Sequence, residues 1–171
     1  MYTYCLFCET VKCDLVARLL EICFPCRAIS PKKVQHTWGK KGKKVDIVHD
    51  LLPGYVFLYF EEEKPSISQF RMMNGVIKCL SDTDKHYELT GADETFALSL
   101  LQHDGVLGKT RVYQEGDRIR ICAGVFDGMQ TRILKVDRRN TRMQIEIPFA
   151  KQMIKTWVEY EIIEPDSASD E

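Results

Sequence analysis

The sequence predicts an α+β chain of two small domains, a mixed helix-and-strand domain followed by a five-stranded β-barrel. Three observations carry that prediction. Up to residue 103, β-prone runs such as LLPGYVFLYF alternate with stretches whose apolar residues recur at helical spacing. Beyond residue 110 every apolar run is short and alternating. Between the two patterns lies DGVLGKT, residues 104–110, which combines glycine with polar residues as a linker does. The expected division is therefore 1–103, a linker at 104–110, a barrel at 111–164 and a disordered acidic tail at 165–171. A chain of 171 residues is long enough for two small cores.

The elements follow in order. YTYCLFC, residues 2–8, is apolar and aromatic enough for a buried strand, and Thr10 suits the N-cap of the helix after it. In VKCDLVARLLEICF, Leu15, Val16, Leu19, Leu20 and Cys23 recur every three or four residues and predict one buried helix face, which Pro25 ends. RAISPKKVQHTW reads as extended. The glycines and lysines of GKKGKK then make a flexible basic hairpin tip at Lys40, Lys41, Lys43 and Lys44. Pro53 and Gly54 turn the chain into a strongly β-prone run. SISQFRMMNGV predicts a short helix closed by Asn74 and Gly75, VIKCL a short strand, and DETFALSLLQH a longer helix opened by Asp93. The five strands of the barrel are carried by RVY, DRIRICAG, QTRILKVD, MQIEIPF and KTWVEYEII.

Charge is unevenly distributed. The net charge is −1, yet residues 111–155 hold ten basic residues against five acidic ones. A basic segment of strand pattern suits a polyanion-binding face as well as a solvated surface. Arg118, Arg120, Arg132, Lys135, Arg138, Arg139, Arg142 and Lys151 are the candidate nucleic-acid contacts there, alongside the hairpin lysines.

Five of the seven cysteines fall within CLFCETVKCDLVARLLEICFPC, residues 5–26. Two Cys-x-x-Cys pairs could suggest zinc, but CLFC lies in a strand that sends Cys5 and Cys8 to opposite faces. CFPC could suggest a dithiol redox site, but it closes a helix, the end that disfavours a thiolate. The cysteines therefore read as small apolar residues, with no metal and no cofactor expected. Scattered histidines and the lack of a nucleophile elbow argue against an enzyme. No segment approaches the roughly 18 apolar residues needed to cross a bilayer, and the start carries no basic leader, so a cytoplasmic protein without membrane contact is expected.

LPGYVFLYF, FRMMNGV and GDRIRICAGVFDGMQ, in this order and at this separation, resemble the NusG family of transcription elongation factors. The likeness covers nearly the whole chain. Leu52 stands in the Phe place of the family's Phe-Pro-Gly-Tyr strand, and Gly116, Asp117, Ile119, Ile121, Gly124 and Phe126 match the opening of its KOW domain. RAISP and PGYVFLY look most like the LoaP branch of antiterminators. Three positions depart from the family pattern: Thr3 lies near the place of a first-strand tryptophan, Val11 replaces a glycine, and Thr131 replaces the KOW-core glycine.

The resemblance implies an N-terminal NusG-type (NGN) α/β sandwich and a KOW SH3-like barrel. It implies that Tyr4, Leu52, Pro53 and Tyr55, supported by Phe57, form an apolar depression for the clamp helices of RNA polymerase, with Arg71 toward the polymerase gate or upstream DNA. Phe126 and Phe149 match loops that contact Rho or a ribosomal protein. RNA, including a structured leader, is the other expected KOW partner, and processive antitermination by a monomer the expected function. The alternative is a KOW-type RNA-binding or ribosome-associated protein that does not touch polymerase.

Overall fold

The computed structural model describes residues 1–81, 85–116, 118–126 and 129–164. The acidic tail and Asp117 of the KOW-like opening lie outside the described residues. Strand β1 (Tyr2–Cys8) leads through a 3-10 turn into helix α1 (Cys13–Cys23). After it come β2 (Cys26–Ile29), β3 (Lys32–Trp38), β4 (Lys44–Asp50), β5 (Tyr55–Phe60), α2 (Ile67–Arg71), β6 (Val76–Cys79), α3 (Gly91–Gln102) and β7 (Val106–Leu107).

An antiparallel sheet of order β2-β5-β1-β6 forms the centre of the first domain. Alternate residues of a strand point to opposite faces, and here each face has its own partners. Tyr4, Leu6 and Cys8 of β1, with Val56, Leu58 and Phe60 of β5, pack on Val16 and Leu20 of α1 and Phe70 of α2. Cys5, Phe57 and Tyr59 point the other way, onto Phe96, Ala97 and Leu100 of α3. The result is the expected α/β sandwich. A second sheet, β4-β3-β7, carries the lysine-tipped hairpin.

Local details differ from the sequence reading. Thr10 lies inside the 3-10 turn and no side chain caps α1. The buried stripe of α1 is Cys13, Val16, Ala17 and Leu20, whereas Leu15 and Cys23 are exposed. Helix α3 starts at Gly91 with Thr90 in the cap position, so Asp93 sits in its first turn rather than opening it.

The C-terminal strands are β8 (Thr110–Glu115), β9 (Arg118–Ala123), β10 (Arg132–Asp137), β11 (Arg142–Phe149) and β12 (Gln152–Ile162). They form one five-stranded sheet of order β10-β11-β12-β8-β9, curled into a half-barrel of the KOW type. The curl brings its two edge strands together, because Ile119 and Ile121 of β9 and Ile133 of β10 line one cavity with Phe126.

The two domains are docked, and a single buried cluster runs from Leu51, Phe57 and Phe96 to Phe126, Ile147, Phe149 and Val158. The joining segment 104–110 is not free backbone. Strand β7 pairs in parallel with Lys32 and Lys33 of β3, and Leu107 is buried. Gly105 adopts φ +70°, where a side chain would collide with Ile29.

Candidate functional site

An apolar depression lies on the α3 face of the first sheet. Leu51, Leu52 and Phe57 are at most 1% exposed, and Tyr55 is half-buried beside them. Gly54 shapes the turn that places them: it adopts φ +91°, and its carbonyl accepts the Cys8 N–H at 2.7 Å. The occupant of the depression comes from the same chain. The Phe149 ring lies 5.2 Å from Phe57, 5.7 Å from Phe96 and 5.9 Å from Tyr55, and Phe126 stacks on Phe96 at 6.3 Å. Phe149 ends β11, where a loop position was expected. Its neighbours Ala150 and Lys151 both take positive φ, 49° and 61°, the geometry of a tight hairpin turn between twisted strands.

Polar contacts ring this apolar contact. Both Asp93 carboxylate oxygens accept the Ala150 N–H at 3.1 Å, and the Ser99 hydroxyl donates to the Val125 carbonyl at 2.9 Å. Burial raises the Asp93 carboxyl above its ordinary range, while the Ala150 N–H opposes the shift. On another flank, Glu159 of β12 accepts the His36 N–H at 2.8 Å and contacts its Nδ1 at 2.6 Å. Lys33 donates to the Thr156 hydroxyl and the Trp157 carbonyl. Burial lowers the Lys33 pKa.

The candidate cations occupy three places. Lys40, Lys41, Lys43 and Lys44 are exposed on the hairpin, and Lys44 lies 5.7 Å from the Trp38 ring centroid. Arg118 and Arg120 are on β9; Arg132 and Lys135 are on β10, with Arg132 facing Glu146 at 3.9 Å. Arg138 and Arg139 sit in the turn before Arg142, whose guanidinium is 3.9 Å from Asp137. Lys151 is exposed beside the docked Phe149.

Cys5, Cys8, Cys13 and Cys79 are buried, and Cys23 is exposed. Cys5 and Cys8 lie on opposite faces of the first sheet. Burial pushes the thiols of Cys8 and Cys79 up to about 12, that of Cys26 up to about 11, and that of Cys5 well above its ordinary value. Among the described residues no group of three or more His, Cys, Asp or Glu is placed to hold a metal ion. No helix among them is long and apolar enough to cross a membrane.

The family model described as "Transcription termination factor nusG" matches residues 1–95, more than half of the chain. The chain belongs to the NusG family. NusG proteins are transcription factors without enzymatic activity. The solved structure reported as "Domain interaction in Thermotoga maritima NusG" shares 15% identity, covers 92% of this chain and 93% of its own, and superposes with a TM-score of 0.55. At that identity the likeness speaks for the fold. No curated relative matches the chain significantly.

Within this NusG fold the sequence-derived polymerase set is split. Leu52, Tyr55 and Phe57 share the α3 side with exposed Pro53 at the turn. Tyr4 packs edge-on to Phe60 on the opposite face, and Arg71 projects from α2, its Nη2 donating to the Tyr87 hydroxyl at 2.6 Å. The docking residues Asp93, Phe96, Ser99, His36 and Glu159 were missed by sequence reasoning. One signal was available. Helix α3 carries leucines beyond a single face (Leu98 and Leu101 beside the buried Leu100), as expected for a helix covered on more than one side.

Proposed function

We propose that the chain is a NusG-like elongation factor of the LoaP kind, cytoplasmic and monomeric, which binds RNA polymerase through residues 1–103 and supports processive antitermination. One observation carries the reading. The NusG domain presents an apolar depression at Leu52, Tyr55 and Phe57, and it is filled by Phe149. An apolar depression of this kind fits an amphipathic partner helix such as a polymerase clamp helix. The docked KOW domain and that helix would compete for it, so binding goes through an undocked form. Tyr4, on the other face, supports the sheet, and Arg71 and Pro53 form the exposed margin.

Undocking would also free Phe126 and Phe149 for Rho or a ribosomal protein. The barrel cations and the hairpin lysines would take RNA, including a structured leader. Residues 104–110 then act as the tether that keeps the KOW domain at high local concentration. Mechanically, a bridge across the polymerase cleft resists the opening that accompanies pausing.

The test is in vitro transcription across a terminator with and without leader RNA, together with titration of a clamp-helix fragment. Read-through and fragment binding are expected. A chain that ignores the fragment even when undocked, yet binds RNA, would be the ribosome-associated alternative. Leader binding should weaken with salt by about 0.7 to 0.9 in log-log slope for each phosphate paired. Unchanged binding in an Arg138/Arg139/Arg142 triple alanine variant would remove RNA from the barrel surface.

A further inference from the structure

A polar groove of about 350 Å³ opens between the domains, away from the apolar contact. One wall is strand β3, from Gln35 to Trp38; the other is Lys109, the turn Arg139–Arg142 and Glu159. Its volume is at the small end of ligand sites, room for about one nucleotide. Trp38 is 70% exposed, an unusual state for an indole, and Lys44 lies over its ring. Against this aromatic stand three cations, Lys109, Arg139 and Arg142. The side chains of Lys109 and Arg139 make no ion pair among the described residues. The single carboxylate in the lining, Glu159, is occupied by the N–H and Nδ1 of His36. The turn is held in place, since Thr141 accepts the Tyr160 N–H at 3.1 Å.

From this arrangement we infer that the groove binds single-stranded nucleic acid, stacking one base on Trp38 and pairing the adjacent phosphates with Arg139, Arg142 and Lys109. An exposed aromatic flanked by cations is the combination that holds unpaired bases, because every base offers a π-face and every linkage a charge. A duplex keeps its bases inside the helix and cannot offer one to Trp38. The inference rests on the RNA-binding reading of the KOW domain and adds a site that exists only when the domains are docked. Each wall belongs to a different domain, so undocking dismantles it.

The test uses the full chain carrying Trp157→Phe, which leaves Trp38 as the sole tryptophan. Fluorescein-labelled octauridylate, the matching oligodeoxynucleotide, a blunt RNA duplex, uridine monophosphate and the leader hairpin are titrated separately, by anisotropy for the labelled strands and by Trp38 quenching throughout. Both single strands are expected to bind and quench. Trp38→Ala should weaken octauridylate about five- to 150-fold, the effect of losing one base stack, and Trp38→Phe should recover part of it. Arg139→Ala with Arg142→Ala should lower the salt slope by about 1.4. Phe149→Ala, which separates the walls, should weaken octauridylate as well. Equal binding by wild type and Trp38→Ala overturns the groove, as does preference for the duplex. Binding of uridine monophosphate as tight as octauridylate would make it a free-nucleotide site and overturn the strand reading. Hairpin binding that survives Trp38→Ala while octauridylate fails to bind leaves the KOW reading standing without the groove; failure of every RNA removes both.

Discussion

Truncating Phe149 separates docking from folding. The rings it meets at 5.2, 5.7 and 5.9 Å, those of Phe57, Phe96 and Tyr55, all belong to the NusG domain. Replacing a buried Phe by Ala costs about 3 to 5 kcal/mol. Because those aromatic partners lie across the domain boundary, most of that cost falls on docking. Taking about 3 kcal/mol, at 1.4 kcal/mol per tenfold, Phe149→Ala shifts the docked–undocked equilibrium by about 100-fold. Apparent affinity for an undocked-only ligand scales with the undocked fraction. Clamp-helix affinity should therefore tighten by up to about 100-fold, stopping where the chain is fully open. A donor–acceptor pair, one fluorophore on each domain, reports the opening in the same titration. Lost energy transfer with unchanged fragment affinity would refute the assignment of the depression to polymerase. Retained energy transfer would refute the docking role of Phe149.

Asp93→Ala strands the Ala150 N–H and should cost about 1 to 3 kcal/mol in thermal unfolding, whereas Asp93→Asn keeps an acceptor and should cost less. Because burial raises the Asp93 pKa, the docked chain binds this proton more readily than the unfolded chain does. Its contribution is fully present below the ordinary carboxylate pKa and is lost as pH rises through the raised folded value, a dependence that Asp93→Asn should flatten. Gly54→Ala forces a side chain into left-handed backbone, about 1 to 2 kcal/mol, and sets its Cβ 2.9 Å from the Phe7 ring; a Tm loss of at least about 2 °C is expected. Thr3→Val removes a buried hydroxyl without a hydrogen-bond partner and should raise Tm or leave it unchanged, as read by calorimetry.

The fold was legible where local patterning decides it. Alternation in RIRICA and MQIEIPF marked strands of the half-barrel, and the alternating faces of β1 placed Cys5 and Cys8 apart, because a period of two is a property of the strand itself. Helix starts were less legible: Thr10 and Asp93 have capping chemistry, yet neighbouring backbone geometry put the first inside a 3-10 turn and tertiary contact drew the second to Ala150. The site was half legible. Leu52, Tyr55 and Phe57 could be named from a motif, but the motif is linear and could not tell that Tyr4 pairs with Leu58 and so faces α1. Nor does any local pattern state that Phe149 fills the depression, since that contact joins residues 92 positions apart, from Phe57 to Phe149.

The groove and the depression share no residue, yet docking couples them with a predictable sign. A strand in the groove needs both walls and binds only the docked chain; a clamp helix needs the depression vacated and binds only the undocked one. At the same multiple of its own dissociation constant each ligand must then weaken the other by the same factor, because the two cannot be bound together. A strand at 100 times its dissociation constant stabilises the docked form by about 2.7 kcal/mol, nearly the amount that Phe149→Ala removes. Octauridylate at that concentration should therefore weaken clamp-helix binding about 100-fold, and clamp helix at about 100 times its own dissociation constant should weaken octauridylate equally. Phe149→Ala, already open, should lose most of the effect that the same octauridylate concentration has on clamp-helix binding, because its groove is rarely assembled. An antagonism that levels off at a finite factor as either ligand is raised would mean that one state of the chain binds both, and that two docked and undocked states do not describe it. An effect of that concentration undiminished in Phe149→Ala would mean that the two ligands meet directly, and the docking contact would then have no part in their antagonism.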